Sequence, residues 1–175
     1  MFLQKVCGEA YDPTSPHMVD TPRRFVDMVR ELTNGQEKWT FTTFTSDSKE
    51  LVVEKNILFT SLCAHHIAPF SGVCHIGYIP DGRIAGLSKL ARQVQSSAKM
   101  LTNQEELTSA IADTLNDILD PKGVAVVMKA QHSCMTIRGA LAYGTETITS
   151  AMRGIFQADV NGCKTELFNL LGGGV

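Results

Sequence analysis

The chain has 175 residues, enough for one domain with a sizeable core and short for two. Its formal net charge of -2 gives no global basic field, so nucleic acid is not an implied partner and any anion must be met by local cations. Five cysteines, an odd number without dense even spacing, argue against a secreted disulfide scaffold and for a reducing compartment, the cytoplasm.

Met1 to Ala10 carries one Lys and no long apolar run, so it does not read as a secretory signal. No apolar stretch approaches the ~20 residues that span a bilayer, so no membrane partner is expected. Within residues 1–19, Asp12-Pro13 and Ser15-Pro16 mark turns, and no regular element is predicted. Asp20-Thr21-Pro22 reads as a helix start, with Asp20 as the cap and a proline tolerated in the first turn. Phe25, Met28, Val29 and Leu32 follow at helical spacing, and Asn34-Gly35 is the predicted stop. Arg24 falls outside that stripe, as an ordinary solvated helix charge would.

Trp39 to Thr45 alternates aromatic and Thr residues, and Ser46-Asp47-Ser48 is expected to fold it into a hairpin with Leu51 to Leu62. That second run delivers Cys63-Ala64-His65-His66. Pro69 prevents simple continuation, and Phe70 to Ile79 forms the next strand, closed by Pro80-Asp81-Gly82. Helical periodicity begins after Gly86, with Leu87, Leu90, Ala91, Val94 and Ala98 on one side. Ser88, Lys89 and Arg92 open that helix, where amides and dipole favour an anion; an ordinary charged face suits them equally. A second helix spans about Gln104 to Leu119 and ends at Asp120-Pro121. Glu105 sits at its start, where capping alone would explain a carboxylate. Val124 to Gln131 and Thr145 to Phe156 read as strands, a short helix runs from about Lys164 to Leu170, and Gly172 to Gly174 should fray. The order strand, strand, helix, helix, strand, strand predicts an α+β unit, an antiparallel sheet with helices on one face.

Cys63 and His66 stand at i and i+3, a spacing from which a tight turn can bring thiol and imidazole to one ion. His65, between them, should point elsewhere, because neighbouring side chains on an extended chain face opposite ways, which suits a catalytic or neighbouring imidazole. His132-Ser133-Cys134 ends another β-branched run and offers a third ligand and a second imidazole. Three protein ligands leave a fourth position for water, as in catalytic zinc sites. A buried thiol with a surface imidazole is the competing explanation.

Taken together these residues resemble the GTP cyclohydrolase I family of the tunnelling-fold superfamily. The resemblance runs through Asp20-Thr21-Pro22 with Arg24, Cys63 to Phe70, Gly77-Tyr78-Ile79-Pro80, Gly86 to Arg92, Gln104-Glu105, and His132-Ser133-Cys134 with Arg138-Gly139. It implies one domain over 1–175, with a helical and extended region over 1–48 and a tunnelling-fold core over 49–175. That core would be a four-stranded antiparallel sheet with two helices on one face plus an N-terminal helix, assembling into a ring. The resemblance implies Zn2+ on Cys63, His66 and Cys134, and acid/base roles for His65 and His132. Ser88 matches a catalytic hydroxyl. Lys89, Arg92, Arg138 and Arg24 match triphosphate-binding groups, Arg24 reaching in from another subunit. Glu105 matches the anchor of the guanine edge, with Gln104 beside it. The implied substrate is GTP, hydrolysed at carbon 8 with loss of formate to 7,8-dihydroneopterin triphosphate. The implied assembly is a decamer of two pentamers with sites at subunit junctions.

Two positions depart from the family pattern. Ala64 stands where Glu is usual between the zinc Cys and the first His, and Glu106 stands where Arg commonly follows Gln-Glu. The N-terminal region is short, so no regulatory extension is expected. Ala64 leaves room for a relative with an altered purine or pterin substrate, or an arrested product, and for a non-catalytic module that binds zinc and nucleotide. The nitrile reductase relatives of the superfamily lack this zinc trio.

Overall fold

The structure, a computed structural model, describes residues 2–34 and 39–172. Gly35 of the predicted helix stop, and Gly173 and Gly174 of the predicted fraying end, lie outside the described residues.

The first nineteen residues hold a helix, α1 (Phe2–Cys7), followed by a 3-10 turn over Gly8–Ala10. The turn signals act only further on, where Asp12 accepts hydrogen bonds from the Thr14 amide and hydroxyl; Leu3, Gln4 and Lys5 are good helix formers ahead of them. The helix α2 (Thr21–Thr33) forms as predicted, but Asp20 does not cap it. Its backbone is itself in the right-handed helical region, not the extended conformation a cap needs, so its carboxylate turns to Arg23 and Arg24 instead. The apolar stripe of α2 stays uncovered in one chain, with Phe25 and Met28 44% and 43% exposed.

Next come β1 (Thr43–Thr45), β2 (Val52–Cys63), β3 (Ala68–Ile79) and β4 (Arg83–Ala85). The expected hairpin between the first two does not form. β1 pairs antiparallel with β4, Phe44 facing Ile84, because the turn at 80–82 sends the chain back alongside it. Backbone bonds from Ser46 to the Gly82 carbonyl and from Gly86 to the Thr42 carbonyl close that ribbon at both ends. The helices α3 (Leu87–Ala98) and α4 (Gln104–Leu119) flank a two-residue strand, β5 (Leu101–Thr102), that the sequence did not signal. Then follow β6 (Gly123–His132), the single-turn α5 (Ser133–Thr136), β7 (Thr147–Gly154), a 3-10 turn at Val160–Gly162 and α6 (Cys163–Leu171).

Among the described residues the main sheet has the order β5-β2-β3-β6-β7. Its four long strands are antiparallel, as expected; β5 adds a short parallel edge against Leu62 and Cys63. Because side chains alternate across a strand, Phe70, Cys74, Ile76 and Tyr78 of β3 face the same side as Val124, Val126 and Met128 of β6. There they meet Leu90, Val94 and Ala98 of α3 and Leu107, Ile111 and Leu115 of α4. Leu87, predicted to share that stripe, is 68% exposed at the first position of α3, where the helix has not yet reached the sheet. The opposite face is covered at one end by α6, whose Leu167 packs with Ala125, Phe156 and Cys163. A Cβ on Gly77 would stand 2.6 Å from a Leu167 methyl, so a larger residue there would displace that side chain from its packing.

Candidate active site

Sheet register builds the site. Cys63 is the last residue of β2 and pairs with Ala68, the first of β3, so residues 64–67 form a tight connection. The amides of His66 and Ile67 both bond the Cys63 carbonyl. Ile67 has φ 50, an uncommon conformation for a β-branched side chain and a local strain that the surrounding pairing maintains. The parallel edge secures the near side, with the Ala64 amide on the Thr102 carbonyl and the Ser61 hydroxyl on the Met100 carbonyl. Two residues into β3, Phe70 faces His132 at the end of β6. The chain then turns through α5, whose Ser133 hydroxyl donates to the Pro69 carbonyl. The ends of β2, β3 and β6 thus bring Cys134 onto Cys63 and His66.

The ligand atoms of Cys63, His66 and Cys134 all lie within 4.8 Å of one another, and among the described residues no other His, Cys, Asp or Glu joins that group. Around a tetrahedral zinc, with sulfur at about 2.3 Å and nitrogen at about 2.0–2.1 Å, ligand atoms stand roughly 3.5–3.8 Å apart. Cys63 Sγ is 3.9 Å from His66 Nδ1, so the donor set fits with little contraction. Cys63 is buried, Cys134 half-buried and His66 exposed, which gives an ion an apolar floor and an open side. Burial and the facing Cys63 sulfur push the Cys134 thiol up from its ordinary pKa, and nearby Arg138 partly opposes them.

His65 does not point away. Residues 64–67 form a turn, so strand alternation does not apply, and His65 Nδ1 lies 3.6 Å from Cys63 Sγ with its ring edge-on to His66. It borders the cluster without belonging to it.

His132 is held more tightly. Its ring stacks on Phe70, and its Nε2 is 2.8 Å from Gln104 Oε1. Burial lowers its pKa, and the carboxylate of Glu105 works against that shift. Gln104 is 1% exposed, and its amide nitrogen reaches the carbonyls of Met128 and Thr147 and the hydroxyl of Thr149. Capping does not account for Glu105, because Asn103 caps α4 by accepting from the Glu106 amide. Among the described residues Glu105 makes no hydrogen bond or ion pair, and its exposed carboxylate sits one position from Gln104.

The remaining predicted residues lie on the two helices α2 and α3. Ser88, Lys89 and Arg92 occupy the first turns of α3, and Arg24 pairs with Asp20 on α2. Among the described residues no hydrogen bond or ion pair links these four to the Cys63 cluster. Arg92 instead lines a cleft of about 1040 Å³ with Trp39, Leu58, Lys99, Lys129 and Glu146. The Phe70 stack and the hydroxyls of Thr108 and Thr149 had no signal in the sequence, since their positions follow from the β3–β6 and α4–β7 packing.

A sheet of this order with paired helices, carrying a three-ligand Cys-His-Cys cluster at its strand ends, defines a tunnelling-fold protein with a potential metal centre. The fold is shared with the crystal structure of the archaeosine synthase QueF-Like in the apo form, at TM-score 0.52 and 22% identity over 62% of this chain and 97% of that one. The family model for GTP cyclohydrolase I matches residues 3–171. GTP cyclohydrolase 1 of Geobacillus kaustophilus (strain HTA426) is 43% identical, covering 97% of this chain and 92% of the relative. That of Halalkalibacterium halodurans is 44% identical over 99% and 93%, and that of Listeria welshimeri 46% over 85% and 81%. The chain belongs to the GTP cyclohydrolase I family.

Among the described residues no helix is long and apolar enough to cross a membrane.

Proposed function

We propose that this chain is a zinc-dependent GTP cyclohydrolase I, which hydrolyses GTP at carbon 8 of guanine, releases formate and rearranges the remainder to 7,8-dihydroneopterin triphosphate. The observation that carries this reading is the convergence of three ligand groups from β2, its turn and α5 beside an imidazole, His132, that its own neighbours hold in place. Cys63, His66 and Cys134 would hold the zinc ion, which when bound would supply an activated water nucleophile of the kind carbon 8 needs.

The chain's own residues do the rest. Protonation of guanine nitrogen 7 by His132 makes carbon 8 electrophilic, and such positioned proton transfer contributes about 100- to 10,000-fold. Glu105, uncommitted within the chain, accepts from the amino group and ring NH of guanine, and this selects against bases that lack those donors. His65 and Ser88 serve ribose opening, Amadori rearrangement and ring closure. Lys89, Arg92, Arg138 and Arg24 take the triphosphate through charge-assisted contacts that orient the base towards the Cys63, His66 and Cys134 cluster.

Since no hydrogen bond or ion pair among the described residues ties Arg24, Ser88, Lys89 and Arg92 to the cluster, we assign their meeting with it to a site shared between copies of the chain. The bare stripe of α2 and the exposure of Leu58, Ile137 and Tyr143, at 71%, 70% and 74%, support extensive self-association. We assign a decamer of two face-to-face pentamers with active sites at subunit junctions, placed in the cytoplasm.

Ala64 favours a second reading. With a methyl group where a carboxylate is usual, the reaction stops after ring opening, or the protein binds nucleotide without turnover. One assay separates these readings: metal-loaded protein is incubated with GTP, and formate and dihydroneopterin triphosphate are followed. Both products support the cyclohydrolase. Formate alone indicates an arrested enzyme, and tight GTP binding with neither product indicates a binding module.

A further inference from the structure

The buried polar groups behind His132 admit one consistent set of donors and acceptors. The Gln104 amide nitrogen lies 3.2 Å from the Met128 carbonyl, 2.9 Å from the Thr147 carbonyl and 3.1 Å from Thr149 Oγ1. Two of these three neighbours are backbone carbonyls, which only accept, so the carboxamide cannot be turned over without setting oxygen against oxygen. Its Oε1 therefore faces His132, and because Oε1 also only accepts, the Nε2 of His132 at 2.8 Å carries a hydrogen.

A ring of threonines fixes the carboxamide from behind. The Thr108 hydroxyl donates to the Gln104 main-chain carbonyl at 2.6 Å, so its one hydrogen is spent. The contact of 2.6 Å between the Thr108 and Thr149 hydroxyls must then have Thr149 as donor. Thr149 Oγ1, its own hydrogen given to Thr108, can only accept towards Gln104, so the two hydrogens of the carboxamide are shared among that oxygen and the Met128 and Thr147 carbonyls. Gln104 and Thr108 are each 1% exposed, where a polar group without a partner is costly, so these directions are enforced.

We propose that Gln104 is a positioning residue: held by Thr149 and two backbone carbonyls, it keeps the Nε2 of His132 protonated, so that Nδ1 is the atom that first takes up a proton from solvent and then passes it to the substrate. The Phe70 ring, 3° from parallel, restricts the imidazole to the plane in which that bond is made. The Gln104 side chain has no donor left for a guanine edge, so among these side chains base selection belongs to Glu105. This inference rests on the cyclohydrolase reading for the identity of the substrate, and on the hydrogen-bond circuit for the tautomer.

The test uses metal-loaded full-length protein with 15N-labelled histidine at pH 8, His132→Gln assigning the imidazole signals, together with steady-state kinetics on GTP. Wild-type protein is expected to show His132 protonated at Nε2 only. Gln104→Met, which keeps length and removes both polar atoms, should let the Nδ1–H tautomer appear. It should also lower kcat about 10- to 100-fold, with KM within about twofold and metal content unchanged. Thr149→Val retains core volume and both carbonyl anchors; its kcat should fall about two- to fivefold with the same direction of tautomer shift, and it carries the test should Gln104→Met fail to fold. An unchanged tautomer in both variants overturns the proposal, as does a tenfold rise in KM with kcat intact, the signature of direct contact with the base. A wild-type protein that releases no formate overturns the cyclohydrolase reading instead, and the imidazole signals still decide whether Gln104 sets the tautomer.

Discussion

Phe70 and His132 lie directly opposite one another in the β3–β6 ladder, and their rings stack with centroids 4.6 Å apart. Residues opposed in this way share one face of a sheet, so the register that closes the core also orients the imidazole. The ring of Phe70 is 1% exposed and also meets Phe59 edge-on. Phe70→Leu should retain the core but release His132. We expect a loss of about 1–2 kcal/mol in denaturant unfolding and a severalfold lower kcat with metal content unchanged. Wild-type turnover in this variant would remove the stack from the account of the site.

The two residues that bracket Ser133 should separate metal retention from chemistry. Cys134→Ala removes one of three ligand groups and should abolish both zinc retention and turnover, read by metal analysis of the purified protein and by formate release. His132→Ala should keep the metal and lose turnover by about 100-fold or more. A normal rate in His132→Ala would exclude that imidazole from the reaction.

Ala64 is exposed in the turn between β2 and β3, and its amide, not its side chain, is what bonds Thr102. A longer side chain can therefore be placed there without disturbing the backbone. Ala64→Glu adds a carboxylate beside the metal ligands and should raise kcat roughly tenfold with zinc retained. Unchanged kinetics would show that the missing carboxylate does not matter in this chain.

His75 ties stability to pH away from the site. Its Nδ1 accepts from the Asn56 amide at 3.2 Å, across the irregularity between Glu54 and Ile57 where Asn56 adopts φ 63. Burial lowers the His75 pKa, and the charges of Lys55 and Lys129 lower it further. The unfolded chain takes up that proton near the ordinary value of about 6.5 while the folded chain resists it, so the unfolded state binds more protons. Stability should be greatest above about pH 6.5, fall as pH drops towards the depressed folded value, and level off below it. His75→Gln should show a shallower fall over that window in urea titrations. Parallel curves for the two proteins would exclude His75 as the source.

The elements themselves were legible because helix and strand periodicity are local. The β2, β3 and β6 runs, and the α2, α3 and α4 stripes, appear nearly where the residue spacing puts them. The same holds for Cys63 and His66, whose approach needs only a four-residue turn. The run ending in His132-Ser133-Cys134 likewise offered a third ligand and a second imidazole, and resemblance added the guanine-binding role of Glu105.

Strand pairing was not legible where a backbone had more than one partner to choose from. Trp39 to Thr45 has the alternation of a hairpin strand, yet its bonds go to β4, a partner created by the turn at 80–82. Leu87 has the right phase for the core and the wrong height on the helix.

The sequence by itself determined which segments are helix or strand, and which side chains are competent to bind a metal, because both depend on neighbours a few residues apart. The tertiary structure alone decided that Cys134 meets Cys63, that Phe70 lies under His132, and that Gln104 turns its oxygen to an imidazole. Those relations are set by strand order and register and by the need of buried polar groups for partners, and no local pattern carries that information.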